Sequence, residues 1–188
     1  PKLFLYQSGY LTIKNVIEDS YVLGFPNREV KKALFELVIP IMLKKDKDET
    51  ENAIQELKMN FSTGNVEEGI LCLKQLIAHT PYSTQKKERF VFEEHFRFIL
   101  KNLFYICGFN VKEELQVADG RIDLVVETSN IIYVIELKMS DNGGTSAATQ
   151  QIITRHYKDA YCASHKSVVG LALVFDKDNR GLKDWNKV

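Results

Sequence analysis

The stretch Ile131–Met139 decides the fold, because it reads I-I-Y-V-I-E-L-K-M and is apolar except for Tyr133 and two charged residues. An apolar run of this length is typical of a central strand that is covered on both faces. Glu136 and Lys138 are two positions apart, so both project from the same face of the strand. Because burying either charge alone would be costly, we expect compensating groups nearby.

The preceding segment, residues 121–127, supplies such a group in Asp123, which lies among apolar neighbours. A short turn at residues 128–130 would bring this strand beside the one that carries Glu136. Positions 123 and 136 differ in parity, so their facing depends on the register or on a bulge, which the sequence leaves open. A structural ion pair of Lys138 with Glu136 or with Asp123 is one interpretation of the three charges.

A chemical site is the other interpretation. Two carboxylates at the end of a sheet suit a hard cation such as Mg²⁺, which prefers oxygen ligands and retains several waters. Lys138 could position or deprotonate a water, or neutralise the charge of a phosphate.

Outward from this centre, the second half of the chain alternates helical and extended patterns. We expect a helix over residues 86–107, strands at 111–117, 121–127 and 131–139, a helix over 146–164 and a strand at 168–175. Asp119-Gly120 is a turn signal between the first two strands. The order helix, three strands, helix, strand predicts an α/β fold with a mixed sheet flanked by helices.

The first half has a different pattern. Residues 3–6, 10–13 and 21–25 are short β-prone runs, which predict a small β-hairpin. Asn27 is a suitable N-cap for a helix from residue 28, and Asn65 for a helix that Pro81 ends. A further helix is expected over 53–61, and the charge run at 44–52 predicts a solvated loop or an exposed helix face. Residues 1–81 are therefore expected to form a hairpin and helical connecting region.

The charge balance restricts the function classes. The chain has 188 residues with 25 basic and 25 acidic side chains, so its formal net charge is zero. This excludes a freestanding polybasic nucleic-acid binder and a disordered acidic tail. A local basic groove remains compatible with neutrality, and its candidate members are Lys86, Lys87, Arg89, Arg121 and Arg155.

The cysteines and the apolar runs indicate the compartment. Cys72, Cys107 and Cys162 are odd in number and widely spaced, which predicts buried thiols in a reducing cytoplasm rather than disulfides or structural zinc. We expect no membrane span, because no apolar run is long enough. The chain begins at Pro1 without a methionine, and we expect it to be a fragment that lacks an N-terminal neighbour.

The charged residues of the sheet carry a family resemblance. Gly120-Arg121-Ile122-Asp123, followed after twelve residues by Glu136-Leu137-Lys138, resembles the D…(D/E)XK signature of the PD-(D/E)XK nuclease superfamily. The predicted order of elements is also that superfamily's restriction-endonuclease-like core. Ile122 replaces the proline of the family name at a position that varies among members.

Several segments resemble one mostly bacterial branch of the superfamily. They are L-G-F-P-N-R-E-V at residues 23–30, residues 120–127, residues 133–138, and Gln151-Ile152 followed by Tyr157 and Tyr161. In that branch a nuclease-like domain follows an AAA-type ATPase-like domain on the same polypeptide. The resemblance therefore implies an N-terminal ATPase-like domain beyond this chain, with residues 82–188 as the nuclease-like domain.

The resemblance also implies residue roles. Asp123 and Glu136 would bind Mg²⁺ or Mn²⁺, with the carbonyl of Leu137 as a further ligand, and Lys138 would act on the attacking water. Glu93 would be the helical acidic residue, with Glu94 as the alternative and a solvated first-turn glutamate as the interpretation without chemistry. Gln151 and Tyr157 would orient the substrate or the lysine, unless they are ordinary residues of an amphipathic helix. Arg121 would bind substrate.

We therefore expect a metal-dependent phosphodiesterase that acts on nucleic acid, with DNA as the expected substrate. An inactive nuclease-fold module for targeting or protein interaction is the alternative, and an oligomerisation module with residues 28–80 as a helical interface is a third. The sequence does not distinguish DNA from RNA or internal from terminal cleavage, and it does not determine the oligomeric state.

Overall fold

The computed structural model describes residues 2–78, 89–118, 120–176, 178 and 181–188, with the backbone alone for residues 89–91. The expectations for Pro81, Asp119, Lys86, Lys87 and the Arg89 side chain lie outside these described residues. The helices are α1 Lys2–Gln7, α2 Arg28–Leu43, α3 Lys47–Thr63, α4 Val66–Ile77, α5 Arg89–Ile106 and α6 Gly144–Thr154. The strands are β1 Thr12–Ile17, β2 Ser20–Gly24, β3 Asn110–Val117, β4 Gly120–Glu127, β5 Ile131–Met139, β6 Ser167–Asp176 and β7 Gly181–Lys187.

The central feature is a five-stranded sheet in the order β3-β4-β5-β6-β7. Strands β5 and β6 run parallel and are connected through α6, whereas the other neighbours are antiparallel. The mixed sheet with flanking helices confirms the predicted fold class. Strand β7 was not predicted, because its sequence G-L-K-D-W-N-K is mostly polar and only Leu182 in it is buried.

Helices cover both faces of the sheet. On one face, Phe96 and Leu100 of α5 join Leu124 and Ile135 of the sheet in a core that also includes α2, α3 and α4. On the other face, Ala148 and Ile152 of α6 pack in a smaller core. Strand β5 is therefore covered on both faces, which explains its continuous apolar sequence.

Helices α2, α3 and α4 of the first half share the larger core with the sheet. The Tyr133 ring of β5 packs 5.0 Å from the Phe61 ring of α3, between centroids, and its hydroxyl donates to the Phe61 carbonyl at 2.8 Å. Tyr133 thus buries its polar atom with a partner from α3. The division into residues 1–81 and 82–188 stays a prediction, since its boundary falls among the undescribed residues.

A hairpin is present as β1 paired with β2, and the run at 21–25 lies in it, but its first strand begins later than the predicted run at 10–13. The strand predicted at residues 3–6 is wrong, because these residues lie in α1. A short apolar run has no period that separates a helix from a strand. In the charge run at 44–52, α3 begins at Lys47, because Asp46 caps it by accepting from the main-chain N–H groups of Asp48 and Glu49. The helix predicted at 53–61 therefore starts six residues earlier than expected.

Three other local predictions need correction. Asn27 caps α2 as predicted, accepting from the Val30 N–H at 2.8 Å, but the Asn65 side chain makes no cap hydrogen bond to α4. The helix predicted to reach residue 164 ends at Thr154, where His156 adopts a left-handed φ of 48°. Cys162 is exposed rather than buried, while Cys72 and Cys107 are buried, and all three are free thiols.

Candidate active site

Strands β4 and β5 separate after Leu124 and Ile135, at the position of the charged residues, and we call this point the fork. Their pairing ends at Leu124 opposite Ile135, whereas β4 continues along β3 to Gly120 and β5 continues along β6 to Met139. One further step in this antiparallel register places Asp123 opposite Glu136. In this register an odd-numbered residue of β4 faces an even-numbered residue of β5. The odd number of Asp123 and the even number of Glu136 are therefore what the pairing requires.

Strands β3 and β4 also change faces at this point. Leu124 packs in the core beneath α5, yet Ile122, two residues earlier, packs in the core beneath α6. In β3, Val111 and Leu115 divide between the same two cores. Because a regular strand keeps alternate residues on one face, the backbone must turn over between these positions, beside Asp123.

Asp123 and Glu136 are both buried, at 7% and 1% exposure. The Leu137 main-chain N–H donates to Asp123 Oδ2 at 2.8 Å, and Lys138 Nζ donates to Glu136 Oε1 at 2.7 Å. Glu136 Oε2 is buried and has no hydrogen-bond partner. The structure therefore brings Asp123, Glu136, Leu137 and Lys138 together, with one carboxylate oxygen unsatisfied.

Burial is the main cause of the pKa shifts of both acids. It raises the pKa of Glu136 to about 8, with the Asp123 charge adding to the rise, the Lys138 ammonium opposing it and the Glu93 charge adding a smaller contribution. Burial also raises the pKa of Asp123, against the Leu137 N–H and the charges of Lys138 and Arg97. The neighbouring cations therefore only partly offset the loss of solvation that both carboxylates undergo on burial.

Lys138 remains an ammonium ion at neutral pH. Burial acts to lower its pKa, but the hydrogen bond to Glu136 and the charges of Glu136, Asp123 and Glu93 outweigh burial, so the pKa is raised. An ammonium ion donates hydrogen bonds and neutralises charge, and it cannot accept a proton. In this state Lys138 is suited to positioning a water or a phosphate oxygen rather than to deprotonating a water.

Helix α5 brings Glu93 to the same region. Glu93 is half-buried, and its charge raises the pKa of both Glu136 and Lys138, whereas Glu94 is exposed. Of the two alternatives, Glu93 is the one near the charged cluster.

The predicted substrate-binding residues form a chain of hydrogen bonds beside the fork. Gln151 Nε2 donates to the Tyr157 hydroxyl at 3.2 Å, and this hydroxyl donates to the Arg121 carbonyl at 2.8 Å. Tyr157 is 1% exposed, and its hydrogen bond links the segment after α6 to the start of β4. The Arg121 side chain is 56% exposed and points instead to Glu114. Substrate-orienting roles for Gln151 and Tyr157 stay predictions.

Sequence reasoning missed Arg97 and Glu114. Arg97 Nη1 lies 3.8 Å from Asp123 Oδ1, and Arg97 Nη2 lies 3.3 Å from Glu114 Oε1. Arg97 follows Glu93 by four residues and therefore shares its helix face, which is a signal that the spacing contained. No such signal identified Glu114, because the direction of its side chain depends on the point where β3 changes faces.

The cluster fits a divalent cation. Among the described residues, no group of three or more His, Cys, Asp and Glu side chains is arranged to hold a metal ion. Asp123 and Glu136 nevertheless offer two carboxylates, and β5 offers main-chain carbonyls such as that of Leu137. Glu136 Oε2 has no hydrogen-bond partner, and burial disfavours the charged form of both acids, so a hard cation with retained waters would stabilise the ionised pair.

Comparisons with known proteins agree with this geometry. Residues 91–185 match a family model described as the PD-(D/E)XK nuclease superfamily. The chain is also 26% identical, over 184 residues, to an uncharacterized protein in the vnfD 5′ region of Azotobacter chroococcum mcd 1. That alignment covers 95% of this chain and 35% of the relative, so the chain spans about a third of the relative's length. In the part of the chain that the structure describes, no helix is long and apolar enough to cross a membrane.

Proposed function

We propose that this chain, which belongs to the PD-(D/E)XK nuclease superfamily, is a metal-dependent nuclease that hydrolyses phosphodiester bonds of DNA. The observation that carries the proposal is the buried, unsatisfied Glu136 Oε2 beside Asp123 and the Lys138 ammonium at the fork. Superfamily membership supports nucleic-acid hydrolysis, while the choice of DNA and of Mg²⁺ or Mn²⁺ is our inference.

In this proposal, Asp123, Glu136 and the Leu137 carbonyl hold the cation. A cation held there would supply a water of lowered pKa and charge neutralisation on the phosphate. The Lys138 ammonium orients the attacking water or a phosphate oxygen, and Glu136 Oε1 fixes the position of Lys138. The Leu137 N–H holds Asp123 in place, so one short segment of β5 organises both carboxylates.

The test is cleavage of duplex, single-stranded and branched DNA, and of RNA, with Mg²⁺ or Mn²⁺ and with EDTA. We expect metal-dependent cleavage of DNA, and a loss of about 10²-fold or more in Glu136→Gln and Lys138→Met, because each removes charge stabilisation of the transition state. Glu94→Gln is the matched control, since Glu94 is an exposed acid on the adjacent helix.

Two results would contradict the proposal. Equal cleavage by the Glu136 and Lys138 variants would place the active site elsewhere. No cleavage of any substrate, together with no divalent-ion binding and a normal fold, would favour the inactive interaction module instead.

We also propose that the chain works with an ATPase-like domain on the same polypeptide, in the cytoplasm. The resemblance of residues 23–30 supports this linkage, the greater length of the relative supports only a longer polypeptide, and the three free thiols support a reducing compartment. Large apolar side chains of α1 and the hairpin are exposed, including Phe4, Val16, Ile17 and Tyr21. Hydrogen exchange should show these residues protected in a longer polypeptide that includes the ATPase-like domain, and equal exchange in both forms would count against the linkage.

A further inference from the structure

We propose that Arg97 and Arg121 form a phosphate-binding pair beside the metal site, and that Glu114 occupies the place of the phosphate in the free protein. The inference rests on the proposed function, since it assigns the contact for the nucleic-acid backbone near Asp123. It also accounts for how a chain without net charge can bind a polyanion locally.

The geometry around Glu114 supports the pair. Glu114 Oε1 lies 3.3 Å from Arg97 Nη2 and 3.2 Å from Arg121 Nη1, so a single carboxylate oxygen bridges two guanidinium groups. The two arginines come from α5 and β4, which approach each other at the fork. Guanidinium groups that converge on one anionic oxygen are the arrangement by which proteins recognise phosphate.

The pair adjoins the proposed metal ligands. Arg97 Nη1 lies 3.8 Å from Asp123 Oδ1, and the Arg97 and Arg121 charges both act to lower the pKa of Asp123. A phosphate in the place of the Glu114 carboxylate would therefore lie close to the proposed cation. This places the pair within the same nucleic-acid site rather than on a distant surface.

The backbone at Glu114 is unusual. Its φ of 48° is left-handed, a conformation that costs free energy for a residue other than glycine. The pairing of β3 with β4 skips this position, passing from Glu113 opposite Leu124 to Leu115 opposite Ile122. This departure from regular strand geometry is what allows Glu114 to reach both arginines.

Glu114 can be displaced because it is held at the surface. Its side chain is 42% exposed and that of Arg121 is 56% exposed, while Arg97 is 13% exposed and more firmly positioned. Exposed ion pairs contribute little stability, so an incoming phosphate can replace the carboxylate at small cost. The Glu114 carboxylate thus competes with nucleic acid for the two arginines.

The test is metal-free binding of a fluorescein-labelled duplex DNA to the full chain, measured by anisotropy in EDTA at several salt concentrations. For Glu114→Gln we expect affinity to rise about two- to fivefold, equivalent to the loss of one exposed ion pair. The slope of log affinity against log salt should steepen by about 1, because the arginines contact a phosphate in every complex once Glu114 no longer competes for them. Arg97→Gln or Arg121→Gln, placed in the Glu114→Gln protein, should reverse both changes.

Glu113→Gln is the matched control. It makes the same change in net charge one residue away, but Glu113 pairs with Lys101 and leaves Glu114 on the arginines. Because exposed charges are screened by salt, we expect the affinity of this control to stay within about twofold of the parent. Glu114→Gly is the second variant, since glycine adopts the left-handed φ without strain and removes the carboxylate altogether.

The proposal is overturned if folded Glu114→Gln and Glu114→Gly bind no more tightly than the parent, or if the Glu113 control gains as much affinity. Because binding is measured without metal, its outcome is independent of cleavage. Tighter binding by the Glu114 variants, combined with unaltered cleavage by Glu136→Gln, would retain the phosphate-binding pair and reject the proposed catalytic site.

Discussion

The main-chain N–H of Leu137 donates a 2.8 Å hydrogen bond to Asp123 Oδ2, across the point where β4 and β5 separate. This bond replaces the regular ladder, whose last pair is Leu124 opposite Ile135. It ties one carboxylate to the residue between the other carboxylate and the lysine. The position of Asp123 is therefore determined by the backbone of the strand that carries Glu136 and Lys138.

The first prediction concerns this hydrogen bond. Asp123→Ala would leave the buried Leu137 N–H without an acceptor, which costs about 1–3 kcal/mol. Asp123→Asn retains an acceptor oxygen, so we expect it to be more stable than Asp123→Ala by that amount. Urea denaturation in EDTA measures the difference. Equal stability of the two variants would show that the bond contributes nothing.

The second prediction concerns the pH dependence of stability without metal. The pKa of Glu136 is raised to about 8 in the folded protein, compared with 4.5 unfolded. The folded state therefore binds more protons between these values, so stability falls as the pH rises from about 4.5 to about 8. Glu136→Gln removes this ionisation and should be more stable than the parent at pH 9, by an amount on the order of a few kcal/mol.

The measurement for the second prediction is denaturation of both proteins in EDTA between pH 5 and pH 9. The advantage of Glu136→Gln should be small at pH 5, grow through neutral pH and level off above pH 8. A constant difference between the two proteins across this range would contradict the raised pKa.

The third prediction concerns the cation. Mg²⁺ or Mn²⁺ should stabilise the parent by about 2.7 kcal/mol at a concentration one hundred times the dissociation constant. Glu136→Gln should lose most of this effect, because it removes one of two carboxylates, whereas Glu94→Gln should keep it. Thermal unfolding with and without the ion provides the measurement, and equal stabilisation of all three proteins would exclude Glu136 as a ligand.

The fourth prediction compares two tyrosines near α6. The Tyr157 hydroxyl donates to the Arg121 carbonyl and accepts from Gln151, so Tyr157→Phe should cost about 0.5–1.5 kcal/mol. The Tyr161 hydroxyl is buried and has no hydrogen-bond partner in the described structure, so Tyr161→Phe should be neutral or stabilising. Chemical denaturation distinguishes them, and a larger loss for Tyr161→Phe would contradict the assigned contacts.

Local patterns in the sequence were sufficient for the elements that lie near the site. The apolar run of β5 predicted a central strand, and the charges within it identified Glu136 and Lys138 as exceptional, because burial makes such charges costly. The pattern failed where polar residues form an edge strand, as in β7, and where a short apolar run has no readable period, as in α1. Both failures concern segments whose structure depends on their neighbours rather than on their own periodicity.

The sequence by itself determined the order of elements from α5 to β6 and the chemical identity of Asp123, Glu136 and Lys138, since these depend on residue type and spacing. Only the tertiary structure decided the register that places Asp123 opposite Glu136. It also decided the change of face in β3 that brings Glu114 to Arg97 and Arg121. The physical reason is that pairing between strands and contacts between α5 and the sheet join residues far apart in the chain. Such contacts are selected by packing of the whole core, which no local pattern contains.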